Sequence, residues 1–363
     1  MNSNVRGIAR ALAAVMVVMG MVLVAGGGLV LAQDGPPDEP VHRPVIRVDN
    51  ADRLVLLGEL GRDWIGDLAW APDSSTLAAS GSDGLWLIDP ADIEAEPRLL
   101  AGHSNHVYSV EWSADGALLA SGSEDETIWV WDAASGEQVV EIDTYTGSLD
   151  SLALSPDGTL LAAGGADGPV RVWDAVSGAL ALRLDGHAGR VYSVAFSPDG
   201  TLLASSSRDR AIYLWDAATG DLALALPGHT ASVYNLAWSP DGTQLASASG
   251  DGVRVWDTAT GELVLLLDQL GQAVYSVDYN PDGTLIAAAT QEGLVVVWEA
   301  ETGVFLWLAE GHSGSVSNVS FSPDGRWLAS AGGWGDNAVR LWGIPAADGI
   351  SDGAENGETE AGS

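Results

Sequence analysis

The chain of 363 residues has no cysteine and no lysine, and its four methionines (Met1, Met16, Met19 and Met21) all belong to the N-terminal segment. Beyond Met21 it carries no sulfur, which excludes disulfides, thiol redox chemistry and thiolate metal sites. Positive charge is almost as scarce, with 50 acidic residues against 13 arginines after residue 32. Phosphate contacts need clustered positive charge, so the composition argues against a nucleic acid partner. Such acidity fits solubility, divalent cations or a salty environment.

The two ends differ from the middle. Arg6 and Arg10 precede an uncharged run from Ala11 to Ala32, which closes as Val30-Leu31-Ala32 before Gln33. A basic start, an apolar run and a small residue before a polar one form the pattern of a secretory signal. The 22 uncharged residues also suffice to span a bilayer. Residues 1–32 are therefore read as a signal peptide or signal anchor, which would be the chain's only membrane contact. The expected location is periplasmic, extracellular or tethered to the outer side of the cytoplasmic membrane. Four prolines in residues 33–50 predict a stiff extended linker. Residues 345–363 read as a disordered acidic tail.

Between these ends a polar turn recurs seven times: APDS at 71–74, SADG at 113–116, SPDG at 155–158, 197–200, 239–242 and 322–325, and NPDG at 280–283. The interval between successive starts is constant to within a single position. Runs such as Val107-Tyr108-Ser109-Val110-Glu111-Trp112 alternate with period two around these turns, the mark of strands joined by tight hairpins. Four strands per period of about forty residues predict an all-β, seven-bladed β-propeller of four-stranded antiparallel blades over residues 51–344. The last repeat lacks a fourth strand after Trp342, whereas residues 53–60 form an orphan strand ahead of the first repeat. Pairing the two closes the ring and leaves no open edge.

The repeats also carry Gly-His at Gly102-His103, Gly186-His187, Gly228-His229 and Gly311-His312. Trp-Asp stands at Trp131-Asp132, Trp173-Asp174, Trp215-Asp216 and Trp256-Asp257. On these residues the chain resembles the WD40-repeat family, in an exported, bacterial-type form, from about residue 53 to 343. The resemblance implies buried tetrads of His, Ser, Asp and Trp: His103, Ser121, Asp125 and Trp131; His187, Ser205, Asp209 and Trp215; His229, Ser247, Asp251 and Trp256; and His312, Ser330, Asp336 and Trp342. Ser, His and Asp together suggest a nucleophilic triad, but four sets in equal phase, each tied to a tryptophan, read as structural. Blades 1, 3 and 6 lack the pattern, with Gly61, Tyr145 and Leu270 at the histidine position and Ala79, Ala163 and Ala288 at the serine position. Those blades are expected to rely on packing alone.

The resemblance further implies a docking platform with no catalytic residue, metal or cofactor, acting as a monomer on a protein or peptide. Its partner-contacting positions fall at the start of the innermost strands. They include Trp64, His106, Tyr108, Asp150, Arg190, Tyr192, Tyr234 and Tyr275, with Glu124 and Arg208 beside them. Four of the chain's seven tyrosines share one ring position. Their rings either plug the channel mouth or offer a partner apolar area at low entropic cost. Arg190 and Arg208 flank Tyr192, a sector suited to an acidic side chain or carboxylate; the alternative is that Arg208 and Arg210 only pair with neighbouring aspartates. The rival reading is a small-molecule or metal-dependent hydrolytic propeller working in the channel, for which His106, Asp150 and Glu124 are the candidates, without a recognisable motif.

Overall fold

In the computed structural model residues 43–346 are described, apart from 62–63, 145–146 and 334. They form seven four-stranded antiparallel sheets. The innermost strands are Ile65–Trp70, Val107–Trp112, Leu149–Leu154, Val191–Phe196, Val233–Trp238, Val274–Tyr279 and Val316–Phe321, and they number blades 1 to 7. Alternation puts one set of side chains on each face of a blade, and both faces meet a neighbouring blade. The second strands therefore read as runs of small apolar residues, buried throughout in Leu77–Gly81 and Leu285–Thr290. Between blades 1 and 2, for example, Ala78, Leu85 and Leu100 pack on Val107, Val110 and Leu119. Each Val or Leu buried in this way contributes roughly 1.5–3 kcal/mol.

The turns seen in the sequence are built by side chains. In blade 2 the Ser113 hydroxyl donates to Asp115 Oδ1 at 2.7 Å and accepts from Leu118 N at 2.9 Å, while Gly116 takes φ 71°. The first turn has Ser74 at this left-handed position, φ 62°, and the substitution has a structural return. Its hydroxyl accepts from Asp324 N of the blade 7 turn at 3.0 Å, across the seam where the ring closes.

A second set of hydrogen bonds ties each blade to the next around the channel. Val110 N donates to Asp67 Oδ2, Leu152 N to Ser109 Oγ, Val194 N to Ser151 Oγ and Leu236 N to Ser193 Oγ. Val277 N donates to Asn235 Oδ1 and Val319 N to Ser276 Oγ, so six interfaces share one bond type at 3.0–3.3 Å. At the seventh, Leu68 N turns to its own Asp67 Oδ1 and Asn318 Nδ2 donates to that oxygen at 2.7 Å. Burial pushes the Asp67 carboxyl up to about 6.

Closure is made by the strand Val55–Gly61, which pairs antiparallel with Ala338–Gly343 and sets Glu59 opposite Arg340. Arg340 is buried. Its Nε donates to Glu59 at 2.9 Å and its Nη1 to Asp336 at 2.6 Å, so one guanidinium joins the closing strand to the blade 7 tetrad. The extended linker expected at residues 33–50 is corrected for residues 43–50, which belong to the propeller. Ile46 is fully buried beside Leu54 and Phe321, Ile46 N donates to Gly325 O, and Arg43 lies over the Trp327 ring. The apolar Val45-Ile46 pair inside a proline-rich stretch carried that information. The expected leader and acidic tail lie outside the described residues, as do Tyr145 and Trp334.

Deleting residues 51–60 removes the closing strand and should abolish monomeric, cooperative melting, which light scattering with calorimetry would read. Arg340→Leu strands Asp336 in the interior and should cost about 3 kcal/mol in urea unfolding. A monomeric deletion variant with a single sharp transition would show that the seam is dispensable.

Candidate functional site

All four expected tetrads are joined by hydrogen bonds. His Nε2 lies 2.8, 2.9, 2.8 and 2.7 Å from the serine oxygen in blades 2, 4, 5 and 7. Each tryptophan Nε1 donates to the same serine, and each histidine Nδ1 meets the aspartate. The aspartate also accepts the backbone N–H after the histidine, as Asp125 does from Ser104 at 2.8 Å. Burial lowers the pKa of all four histidines, so the rings are neutral. Asp251 and Asp336 fall well below the usual carboxylate range, because hydrogen bonds from backbone, histidine and hydroxyl groups, and at Asp336 from Arg340, outweigh their burial. The serine oxygens are wholly enclosed and already shared by two partners. No substrate reaches them, and the arrangement serves to lock a blade.

The expectation that blades 1, 3 and 6 rely on packing alone is corrected for two of them. Asp83 accepts from Trp86 Nε1 at 3.1 Å, and Asp167 pairs with Arg171 through two bonds. Only blade 6 fits it. Leu270 and Ala288 replace histidine and serine, and Trp298 Nε1 is buried with no hydrogen-bond partner.

The candidate binding residues gather at the channel mouth formed by the start of the inner strands, opposite the Pro-Asp-Gly turns. Two aromatic groups stand there. Trp64 meets Tyr108 edge to face at 5.2 Å and His106 at 5.8 Å. A Cβ on Gly66 would lie 2.7 Å from the Trp64 ring, so the missing side chain in blade 1 is what lets the indole fill that ring position. On the other side Tyr192, Tyr234 and Tyr275 meet in sequence at 5.4 and 5.2 Å, the first pair tilted and the second edge to face. His106 Nδ1 lies 3.2 Å from Glu124 Oε2, and burial together with the Glu124 charge raises the Tyr108 hydroxyl above its ordinary pKa.

Between the two groups Arg190 grips Asp150 with both Nε and Nη2 and reaches Ser148 Oγ at 3.0 Å. The expectation that Arg190 would be open to a carboxylate is corrected, since Asp150 from the preceding blade already supplies one and raises the arginine pKa. Arg208 is exposed and makes no ion pair among the described residues, and neither does Arg210. The crown is thus five phenol and indole rings, one closed ion pair and one open guanidinium. The residues missed from sequence are those of the inter-blade belt, although Asp67, Ser109, Ser151, Ser193, Asn235, Ser276 and Asn318 form a polar column in phase with the repeat.

The blade 6 gap is open to a direct test. Ala288→Ser would place a hydroxyl where Ser247 stands in blade 5, able to accept from Trp298 Nε1 and to donate to a strand carbonyl as Ser247 does to Arg254 O. A gain of about 1 kcal/mol is expected in calorimetry. An unchanged or lower midpoint would overturn the view that this indole lacks only a partner.

Seven segments, 55–88, 96–132, 136–174, 178–216, 220–257, 265–299 and 303–343, match the family described as WD domain, G-beta repeat. Among curated proteins, the probable cytosolic iron-sulfur protein assembly protein 1 of Candida glabrata is 38% identical over 78 residues, covering 19% of this chain and 23% of that protein. The protein transport protein SEC13 homolog B of Arabidopsis thaliana is 34% identical over 83 residues, 21% of this chain and 28% of that protein. The vegetative incompatibility protein HET-E-1 of Podospora anserina is 47% identical over 55 residues, 14% of this chain and 4% of that protein. The aligned stretches span about a quarter of the first two relatives' length and less of the third. With the match running through all seven blades, the chain belongs to the WD40 repeat family of β-propellers.

Proposed function

We propose that this propeller is a non-enzymatic scaffold that docks a protein or peptide on the aromatic crown. The observation that carries the reading is the concentration of Trp64, Tyr108, Tyr192, Tyr234 and Tyr275 around one channel mouth, with Arg208 exposed beside them. Tyrosine and tryptophan offer large contact area for few rotatable bonds, and arginine recognises carboxylates through a planar fork. The partner would set apolar side chains against the rings and an acidic group against Arg208. Asp150, being closed on Arg190, contributes shape rather than free charge.

The same proposal places the protein outside the cytoplasmic membrane. It rests on the leader at residues 1–32 alone. The relatives are eukaryotic, one of them named as cytosolic, and they lend the bacterial, exported form no support.

Replacing Tyr108, Tyr192 and Tyr234 together with alanine should lower recovery of the partner roughly tenfold or more in a pull-down, with melting unchanged. Recovery equal to wild type would remove the crown as the docking face. N-terminal sequencing of the secreted and membrane-bound fractions checks the location, and a product retaining Met1 in the cytoplasm would refute export.

A further inference from the structure

The channel opens differently at its other end. There the seven turns surround a funnel of about 600 Å³, rimmed by prolines such as Pro156, Pro198 and Pro240 and walled by Trp70, Trp112 and Trp238. The indole nitrogens face away from it into the protein, each donating to a backbone oxygen of the neighbouring blade, as Trp112 does to Ala69 O and Trp238 to Ala195 O. The funnel therefore meets aromatic surface whose polar atoms are already satisfied. Glu111 and Asp278 belong to its floor, with Leu68, Leu154, Phe196 and Ser320, and this ring also bounds the 300 Å³ chamber above.

These two carboxyls are not equally provided for. Asp278 Oδ2 accepts from Phe321 N at 2.7 Å. Glu111 is partly buried, keeps surface toward the cavity, and has no hydrogen-bond partner among the described residues. Among those residues, no arginine or histidine lines the funnel or the chamber. A partly buried acid without a protein donor or a counter-charge is costly to ionise.

We infer that the funnel binds a small organic ammonium with an apolar stem, its nitrogen held by Glu111 with Asp278 alongside and its stem lying against the tryptophan walls. An ammonium supplies both the donors and the charge that Glu111 lacks, and aromatic faces attract cations. A cavity of this size suits a small ligand. A metal ion fits less well, because no three His, Asp or Glu side chains among the described residues stand close enough to ligate one. The site lies at the opposite end of the inner strands from the aromatic crown and does not depend on what docks there.

The titration of the floor gives the binding a pH signature. Burial, with the nearby charges of Asp67 and Asp278, pushes Glu111 up to about 8, and burial takes Asp278 to about 7. Tyr279, whose hydroxyl burial pushes well above its ordinary pKa, stays neutral. Asp67, on the chamber wall, is pushed by burial up to about 6, and no further wall residue on the inner strands titrates. Binding the cation to ionised Glu111 below pH 8 releases a proton, so affinity should rise by up to about tenfold per pH unit from pH 6 and level off above 8. In the empty protein the sign is opposite. A carboxyl whose folded pKa is raised loses stability as pH climbs from its unfolded value to its folded one, so the melting advantage of Glu111→Gln over wild type should grow between pH 5 and pH 8.

Calorimetric titration of the full chain with phenethylammonium, 2-phenylethanol and calcium chloride tests the site. Phenethylammonium is expected to bind with proton release, and the alcohol of the same shape at least roughly tenfold more weakly. Glu111→Gln should weaken the ammonium by a similar factor and leave the alcohol unchanged, while Asp278→Asn, as a second variant, should also weaken the ammonium. The crown variant with Tyr108, Tyr192 and Tyr234 replaced by alanine should bind it like wild type. No binding at millimolar phenethylammonium, equal binding of the alcohol, full-strength binding by both acid variants, or displacement of the ammonium by calcium would each overturn the inference.

Discussion

Six of the seven blades give up a backbone N–H of the inner strand to a polar side chain of the blade before. That contact sets how close the blades stand at the channel, and the outer packing follows from it. An inner strand that bends at a bulge would otherwise leave an amide buried without a partner, at a cost of about 1–3 kcal/mol per interface. Serine suffices at four interfaces because its single oxygen reaches the neighbouring strand. Asparagine and aspartate serve at two others. The seventh interface uses Asn318 and Asp67 differently, and it is there that Ser74, Asn318 and the Arg340 clasp supply extra bonds between the chain's two ends.

Locking is distributed unevenly above this belt. Four blades carry the complete His-Ser-Asp-Trp network, and in blades 5 and 7 an arginine joins it: Arg254 at Asp251 and Arg340 at Asp336. Blades 1 and 3 keep a reduced version in Trp86 with Asp83 and Arg171 with Asp167, while blade 6 keeps a bare indole. Polar groups spent in this way cannot do chemistry. What remains for recognition is at the two mouths of the channel, an aromatic crown at one end and an aromatic funnel with an unpaired acid at the other. The two proposals assign them different partners, a polypeptide across the crown and a small cation inside the funnel.

The architecture was legible in the sequence because it repeats. Evenly spaced turns, six of the seven with Asp-Gly, and period-two alternation recur through the repeats, and the orphan strand near residue 55 announced the closure. The tetrad residues were legible for the same reason, by their phase. The docking of residues 43–50 was hidden because four prolines dominate the composition of residues 33–50 while Ile46 alone buries it. Arg190 was misjudged because its partner Asp150 lies on the preceding blade, a full repeat away along the chain.

By itself, then, the sequence determined the number of blades, the strand order within each and the loss of most histidines, serines and aspartates to structure, since these depend on local periodicity. Only the tertiary structure decided which charges meet across blade interfaces, that Gly66 makes room for Trp64, and that Glu111 faces the channel without a protein partner. Those outcomes depend on side chains from different blades, distant along the chain, being brought to one channel wall, and no local pattern records the distance between them.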